Sequence, residues 1–329
     1  MTKVKAELDE DYYDSLVKKE KLDTNMNKLP FLQNYLDNGL ILGGWNLNPL
    51  KRMHKKKRKD LAVVTGYSIS GKLQLGNLTP IKIFNLFNDN FGAKLFMPIS
   101  DTEAILTRKT KSGMRKMYIH LKKEIFLWAL KKKNIEIYLH SENKETTLLF
   151  MQIVKRFKTK EFVDIYGDRS DFPHSVAVCN MLSDVVYPYY QGYKNVLVIL
   201  GIEEINHAKL IDLCAKKFNF SPPTFIFLRP INGLLSGKMS KSQPENSLLL
   251  SETTGSLNIK LGKLKIKRCL KIEDNPPYQI ALWILDIEKD KLDKLSKELK
   301  YEEFVSFVSK KIEERYKNIN NGKNKRSIG

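Results

Sequence analysis

Cysteine is scarce in this chain: three residues, Cys179, Cys214 and Cys269, scattered through 329. No pair has the spacing of a metal-binding knuckle, and three distant thiols make no disulfide framework. The expectation is buried, reduced thiols in a cytoplasmic protein that holds no metal through its own side chains. Long apolar runs are also missing. None approaches the roughly 18 residues a membrane span needs, and no charged-then-apolar leader stands at the N-terminus. There is no Walker A loop, no GxGxxG fingerprint and no internal repeat. Acidic charge falls short: 37 Asp and Glu against 57 Lys and Arg leave a net charge of +20. A surplus that large repels itself unless a polyanion is near. The basic clusters Lys51 to Lys59, Lys122 to Lys133 and Lys260 to Lys271 are dispersed along the chain. That favours a nucleic-acid surface over one membrane-bound amphipathic helix.

What is present alternates. Phe31, Leu32, Tyr35 and Leu36 recur at helical spacing ahead of Gly39, while residues 1 to about 27 are weakly patterned. Leu61 to Val64 reads as a buried strand, followed by the glycine- and serine-rich turn Thr65 to Lys72 and a helical pattern through Ile81, Phe84 and Phe87. Strand, turn and helix in that order form a cradle whose backbone amides can face phosphate. Strands are expected at 95–99, 135–139, 196–200 and 224–228, and helices at 112–131, 145–156, 177–186 and 204–217. Repeated βα units imply an α/β fold: a doubly wound parallel sheet with helices on both faces. Ligands sit at the carboxyl ends of such strands, where Gly66, Asp101 and Gly201 fall. Beyond residue 250 the pattern becomes helical, with Tyr301, Phe304, Val305, Val308 and Ile312 on one face and a polar tail from Lys317. Residues 1–60 therefore read as an N-terminal extension, 61–252 as the α/β domain and 253–329 as a helical domain with a disordered basic tail.

One stretch organises the rest: Gly237-Lys238-Met239-Ser240-Lys241-Ser242, continued by Gln243-Pro244-Glu245-Asn246-Ser247. Two ammonium groups and several hydroxyls on a glycine-preceded loop suit a polyphosphate that gains charge as it leaves. The pentapeptide matches, letter for letter, the KMSKS loop of class I aminoacyl-tRNA synthetases. Gln74-Leu75-Gly76-Asn77 resembles a variant of that family's HIGH signature with both imidazoles replaced by amides. Ile99 to Ala104, and Gly192 to Gly201 followed by Glu203, Glu204 and His207, resemble further segments of the tryptophanyl and tyrosyl subgroup. The likeness covers about residues 60 to 250.

The resemblance implies a Rossmann-like catalytic domain with a C-terminal tRNA-binding domain, working as a cytoplasmic homodimer on ATP, Mg²⁺, an aromatic amino acid and tRNA. It assigns Lys238 and Lys241 to the leaving pyrophosphate, with Ser240 and Ser242 as donors. Gln74, Gly76, Asn77, Gly201, Glu203 and Met239 would hold ATP. Val64, Gly66, Asp184, Gln191 and Glu204 would hold the amino acid. Asp184, in Met181-Leu182-Ser183-Asp184, resembles the acceptor for an indole N–H and favours tryptophan. Tyr187 to Gln191 resembles a tyrosyl segment and keeps tyrosine open. A tRNA-binding relative without adenylation, and a nucleotidyltransferase of similar architecture, are the readings from other classes.

Overall fold

The computed structural model describes residues 10–56, 60–69, 71–107, 114–128, 134–167, 171–240, 243–264 and 271–326. The chain opens with α1 (Glu10–Lys19), α2 (Pro30–Asp37), β1 (Ile41–Trp45) and α3 (Asn48–Lys56). The alternating part follows: β2 (Leu61–Val64), β3 (Tyr67–Ser68), α4 (Thr79–Phe91), β4 (Lys94–Ser100), α5 (Asp101–Thr107), α6 (Met114–Trp128) and β5 (Ile135–Leu139). It continues through α7 (Lys144–Arg156), α8 (Thr159–Tyr166), α9 (Phe172–Tyr190), β6 (Asn195–Gly201), α10 (Ile205–Lys217) and β7 (Thr224–Leu228). Helices α11 (Thr254–Leu264), α12 (Pro276–Trp283), α13 (Lys289–Glu298) and α14 (Tyr301–Arg326) complete it.

The sheet runs β1-β7-β6-β2-β4, with β5 beside β4 and the short β3 pairing the end of β4. Every described pairing is parallel except β1 with β7. Side chains alternate across the sheet as a two-residue period demands. Leu61, Val63, Leu95, Met97, Leu197, Ile199 and Ile226 belong to one core. Ala62, Val64, Phe96, Val196, Val198 and Phe225 belong to the other. Helices cover both faces, which is why these strands read as unbroken apolar runs. The helix ends are chemically marked. Asn143 accepts from the amides of Glu145 and Thr146 to start α7, and Gly92, at φ +61°, closes α4.

Two expectations change. The boundary at residue 60 is no seam, because β1 is a full member of the sheet. Its two glycines hide it from propensity, yet they are needed. A Cβ on Gly44 would lie 2.4 Å from the carbonyl oxygen of Phe225 on β7. Nor does order end at Lys317. Helix α14 continues to Arg326, since Tyr316 and Ile319 extend the apolar stripe and the Tyr316 hydroxyl donates to Leu249 O at 2.6 Å. Helix α3 also overlaps the basic run, with Leu50 and Met53 turned into the core.

The helical C-terminal part is fastened to the sheet just after β7. Arg229 pairs with Asp274, both buried, and its guanidinium lies over the rings of Tyr13 at 4.7 Å and Trp283 at 5.9 Å. Gln279 accepts from the Asn232 amide at 2.8 Å, beside the same pair. Removing one partner of such a pair leaves a buried charge uncompensated. Asp274→Ala is expected to lower unfolding stability by about 3–5 kcal/mol. Urea denaturation reads this, and a change below about 0.5 kcal/mol, typical of a surface site, would contradict it.

Candidate active site

Two cavities open at the carboxyl ends of the central strands. The larger, about 520 Å³, lies between the ends of β2, β4 and β6 and helices α9 and α10. Val64, Val178, Met181 and Val185 give it apolar walls, and Glu103, His140, Asp184, Glu204 and His207 line it with polar groups. The smaller, about 250 Å³, runs from Gln74, Gly76 and Asn77 to Lys238, Met239 and Ser240. Both are lined by Thr65, Gly66, Tyr67, Ser68, Ile199 and Glu204, so one wall serves the two. That wall depends on Gly66. A Cβ there would lie 2.7 Å from Pro98 O on the neighbouring strand.

Gln74-Leu75-Gly76-Asn77 forms a 3-10 turn that caps itself. The Gly76 amide donates to Gln74 Oε1, and the Gln74 amide donates to Asn77 Oδ1 at 3.0 Å. Both side-chain oxygens are thus engaged by the turn, which leaves the Asn77 NH₂ and one N–H of Gln74 for a ligand. Gly76 lines the smaller cavity, and a Cβ there would lie 2.9 Å from Gln74 Oε1, so the Gln74 side chain would have to shift. Gln74 also ties this turn to the lysine loop, donating to Met239 O at 3.4 Å.

The lysine loop is shaped from its C-terminal side. Asn246, 3% exposed, accepts from the amides of Leu235 (2.6 Å) and Ser236 (3.3 Å) and donates to Ser236 O at 2.6 Å. Ser247 Oγ accepts from the Ser240 amide at 2.9 Å. So held, Lys238 lines the smaller cavity and its ammonium pairs with Glu203. Lys241 and Ser242 lie outside the described residues.

Glu203 and Glu204 follow Gly201 at the end of β6, and all three line the smaller cavity. Glu204 is exposed at the cleft, where its carboxylate accepts from the Gly201 amide at 3.3 Å. Partial loss of hydration within the cleft, then the adjacent Glu203, pushes its carboxyl up to about 7, with Lys238 opposing. His207 goes the other way. Burial, then His174, lowers it to about 4, so it is a neutral imidazole against the Tyr166 hydroxyl. Asp184 is 2% exposed on α9 and accepts from the Tyr138 hydroxyl at 3.0 Å and from His140. Asp101 accepts from the Ser141 hydroxyl and lies in neither cavity lining.

Gln191 is a correction. It lies beyond the end of α9, exposed, with its amide on Glu145 Oε2 at 2.7 Å, and it lines neither cavity. The face of α9 that meets the larger cavity carries Ala177, Val178, Met181, Asp184 and Val185, at helical spacing, and position 191 is past it. Sequence reading also passed over Tyr138, His140 and Arg229. The pair at 138 and 140 carried a readable signal, two polar rings one strand period apart at a strand's carboxyl end. Cys179 and Cys214 are buried as expected, which raises their thiols to about 11 and about 12. Cys269 lies outside the described residues. Among the described residues no group of three or more His, Cys, Asp or Glu could hold a metal ion, and no helix is long and apolar enough to cross a membrane.

Comparison with known proteins identifies the family. Residues 55–326 match the family model of class I tRNA synthetases for W and Y. The tryptophan–tRNA ligase of Methanocaldococcus jannaschii is 29% identical over 241 residues, 68% of this chain and 63% of that protein. The corresponding ligase of Methanopyrus kandleri is 25% identical over 225 residues, 66% and 60% of the two lengths. The chain therefore spans a little under two thirds of the curated relatives it matches. Among solved structures, a tryptophanyl-tRNA synthetase from Aeropyrum pernix superposes with a TM-score of 0.81 at 19% identity, covering 94% of this chain and 92% of the other. A tyrosyl-tRNA synthetase from the same organism gives 0.72 at 16%, covering 91% and 94%.

Proposed function

The chain belongs to the class I tRNA synthetases of the tryptophan and tyrosine subgroup, and from that premise we propose that it activates tryptophan with ATP and transfers it to tRNA. One observation carries the reading: a cavity with apolar walls and a few polar groups, roomy enough for an aromatic amino acid, shares a wall with a lysine-lined polar cavity. A carboxylate placed in the first can meet an α-phosphate placed in the second. A carboxylate oxygen forms a bond to Pα in line, and the Pα–O bond to pyrophosphate breaks. Such transfer needs positioning and charge stabilisation, not a protein nucleophile.

The residue roles follow the geometry. Val64, Gly66 and Met181 would flank the indole, Asp184 would accept its N–H, and Glu204, when ionised, would take the α-ammonium. Gln74 and Asn77 would donate their NH₂ groups to the nucleotide, with Gly76, Gly201, Glu203 and Met239 along the same cavity. Lys238 would leave Glu203 for the departing pyrophosphate, and Lys241, Ser240 and Ser242 would join it from the same loop. Mg²⁺ would enter as MgATP, carried by the phosphates and water with few protein ligands, and would offset their charge. Tryptophan is preferred to tyrosine because Gln191 and Tyr187 of the tyrosyl-like segment lie outside the cavity linings, and both named relatives are tryptophan–tRNA ligases.

Partners follow from surface chemistry. Arg52, Lys55 and Lys56 are exposed on α3, a basic face suited to tRNA; binding that stays constant as salt rises would exclude this use. Leu148 and Met151, 62% and 60% exposed on α7, are the patch for a second copy of this chain, and sedimentation as a monomer would remove it. We place the protein in the cytoplasm, where Cys179 and Cys214 stay reduced; fractionation reads this.

Pyrophosphate exchange across all twenty amino acids tests the central reading. Exchange with tryptophan alone is expected, and exchange with tyrosine alone or with none would overturn it. Lys238→Ala is expected to cut kcat about 10²-fold, as for other donors aimed at developing charge. The KM for tryptophan is expected to rise as pH falls through about 7, because Glu204 gains its proton there. Glu204→Gln is expected to flatten that dependence.

A further inference from the structure

Asp184 does not stand alone at the end of the larger cavity. Tyr138 and His140 are two residues apart where β5 ends, so both side chains emerge toward the same side. The Tyr138 hydroxyl donates to Asp184 Oδ1 at 3.0 Å, and His140 Nε2 donates to Oδ2. The far nitrogen of the ring is held as well. His140 Nδ1 lies 3.1 Å from Thr102 Oγ1 and 3.3 Å from Ser100 Oγ. Asn180 in turn donates to Thr102 Oγ1 at 3.3 Å. An imidazole fixed at both nitrogens keeps one orientation and one edge toward the carboxylate.

Burial pushes the Asp184 carboxyl up, against His140 and the Tyr138 hydroxyl, which pull it down. Burial also opposes a charge on His140, but Asp184, with Asp101 and Glu103 beyond it, outweighs this and holds the imidazole above its ordinary value. The geometry supports the carboxylate form, since the Tyr138 hydroxyl and the His140 ring edge both converge on the two oxygens of Asp184. Counting hydrogen-bond sites then decides what fits. The Tyr138 O–H and the His140 N–H are both engaged by Asp184. A carboxylate has about four acceptor sites, and two are filled. What remains for a ligand is acceptor capacity. An indole offers one N–H and needs nothing in return. A phenol oxygen needs a donor too, and both of these are taken.

We propose that His140 is a positioning residue that keeps Asp184 a pure acceptor, so that the cavity selects a ring N–H over a phenol. This rests on the tryptophan reading. Without the imidazole, Asp184 would take up a proton, act as a donor itself and lose its preference for an N–H.

The test compares tryptophan with its benzothienyl analogue, in which sulfur replaces the ring N–H, by pyrophosphate exchange. In the native protein the analogue's KM is expected to be about tenfold or more above that of tryptophan, the worth of one hydrogen bond to a charged acceptor. His140→Ala is expected to bring the two values within about twofold, and His140→Gln, which retains an N–H donor, to give an intermediate ratio. A merely structural role would weaken both substrates in parallel and leave the ratio as in the native protein, which overturns the proposal. Should His140→Ala fail to fold, the Gln variant decides by the same ratio. A native protein that activates no tryptophan would overturn both readings, whereas an unchanged ratio overturns this one alone.

Discussion

Four residues, Leu61 to Val64, carry the arrangement. Strand β2 is hydrogen-bonded to β4 on one side and β6 on the other, and its side chains divide between the two cores. Its direction fixes where Thr65 to Ser68 must go, and those four residues form the wall that both cavities share. The parallel pairing brings the ends of β4 and β6 to the same edge, so Ser100 and Ile199 to Gly201 arrive there without further design. Chemistry between two ligands needs them side by side, and a single central strand supplies that adjacency.

Charge is distributed unevenly across the molecule. The chain as a whole is strongly basic, yet its cleft gathers Glu103, Asp184, Glu203 and Glu204. Each acid has its own balance. Asp184 is offset by His140 and Glu203 by Lys238, while Glu204, beside Glu203, is held above the usual carboxylate range. The Lys238–Glu203 pair lines the smaller cavity, the one proposed to take the triphosphate. Both side chains are more than a third exposed, so exchanging one anion for another is inexpensive. An acidic cleft in a basic molecule suits an amino acid entering with its ammonium and a nucleic acid approaching from outside.

Much of this was legible in the residues. The buried strands declared themselves because a parallel sheet covered on both faces needs unbroken apolar runs. The lysine loop declared itself through a letter-for-letter motif. What escaped did so for physical reasons. Strand β1 carries Gly43 and Gly44 because a neighbouring backbone leaves no room for a Cβ, and glycine masks strand propensity. Helix α3 was hidden by its basic outer face. Gln191 was placed by likeness of a segment, but the facing of α9 depends on rotation about its axis, which local sequence does not supply. His140 and Arg229 act through partners 44 and 45 residues away in the chain, and only the fold brings such pairs together.

The shared wall can be tested most directly with a non-hydrolysable tryptophanyl adenylate, the sulfamoyl analogue, followed by hydrogen exchange. Slowed exchange is expected together at residues 64–68, along 177–185 and at 199–204, because one ligand would span both cavities. Protection confined to one of these cavities, or found elsewhere on the molecule, would contradict the account.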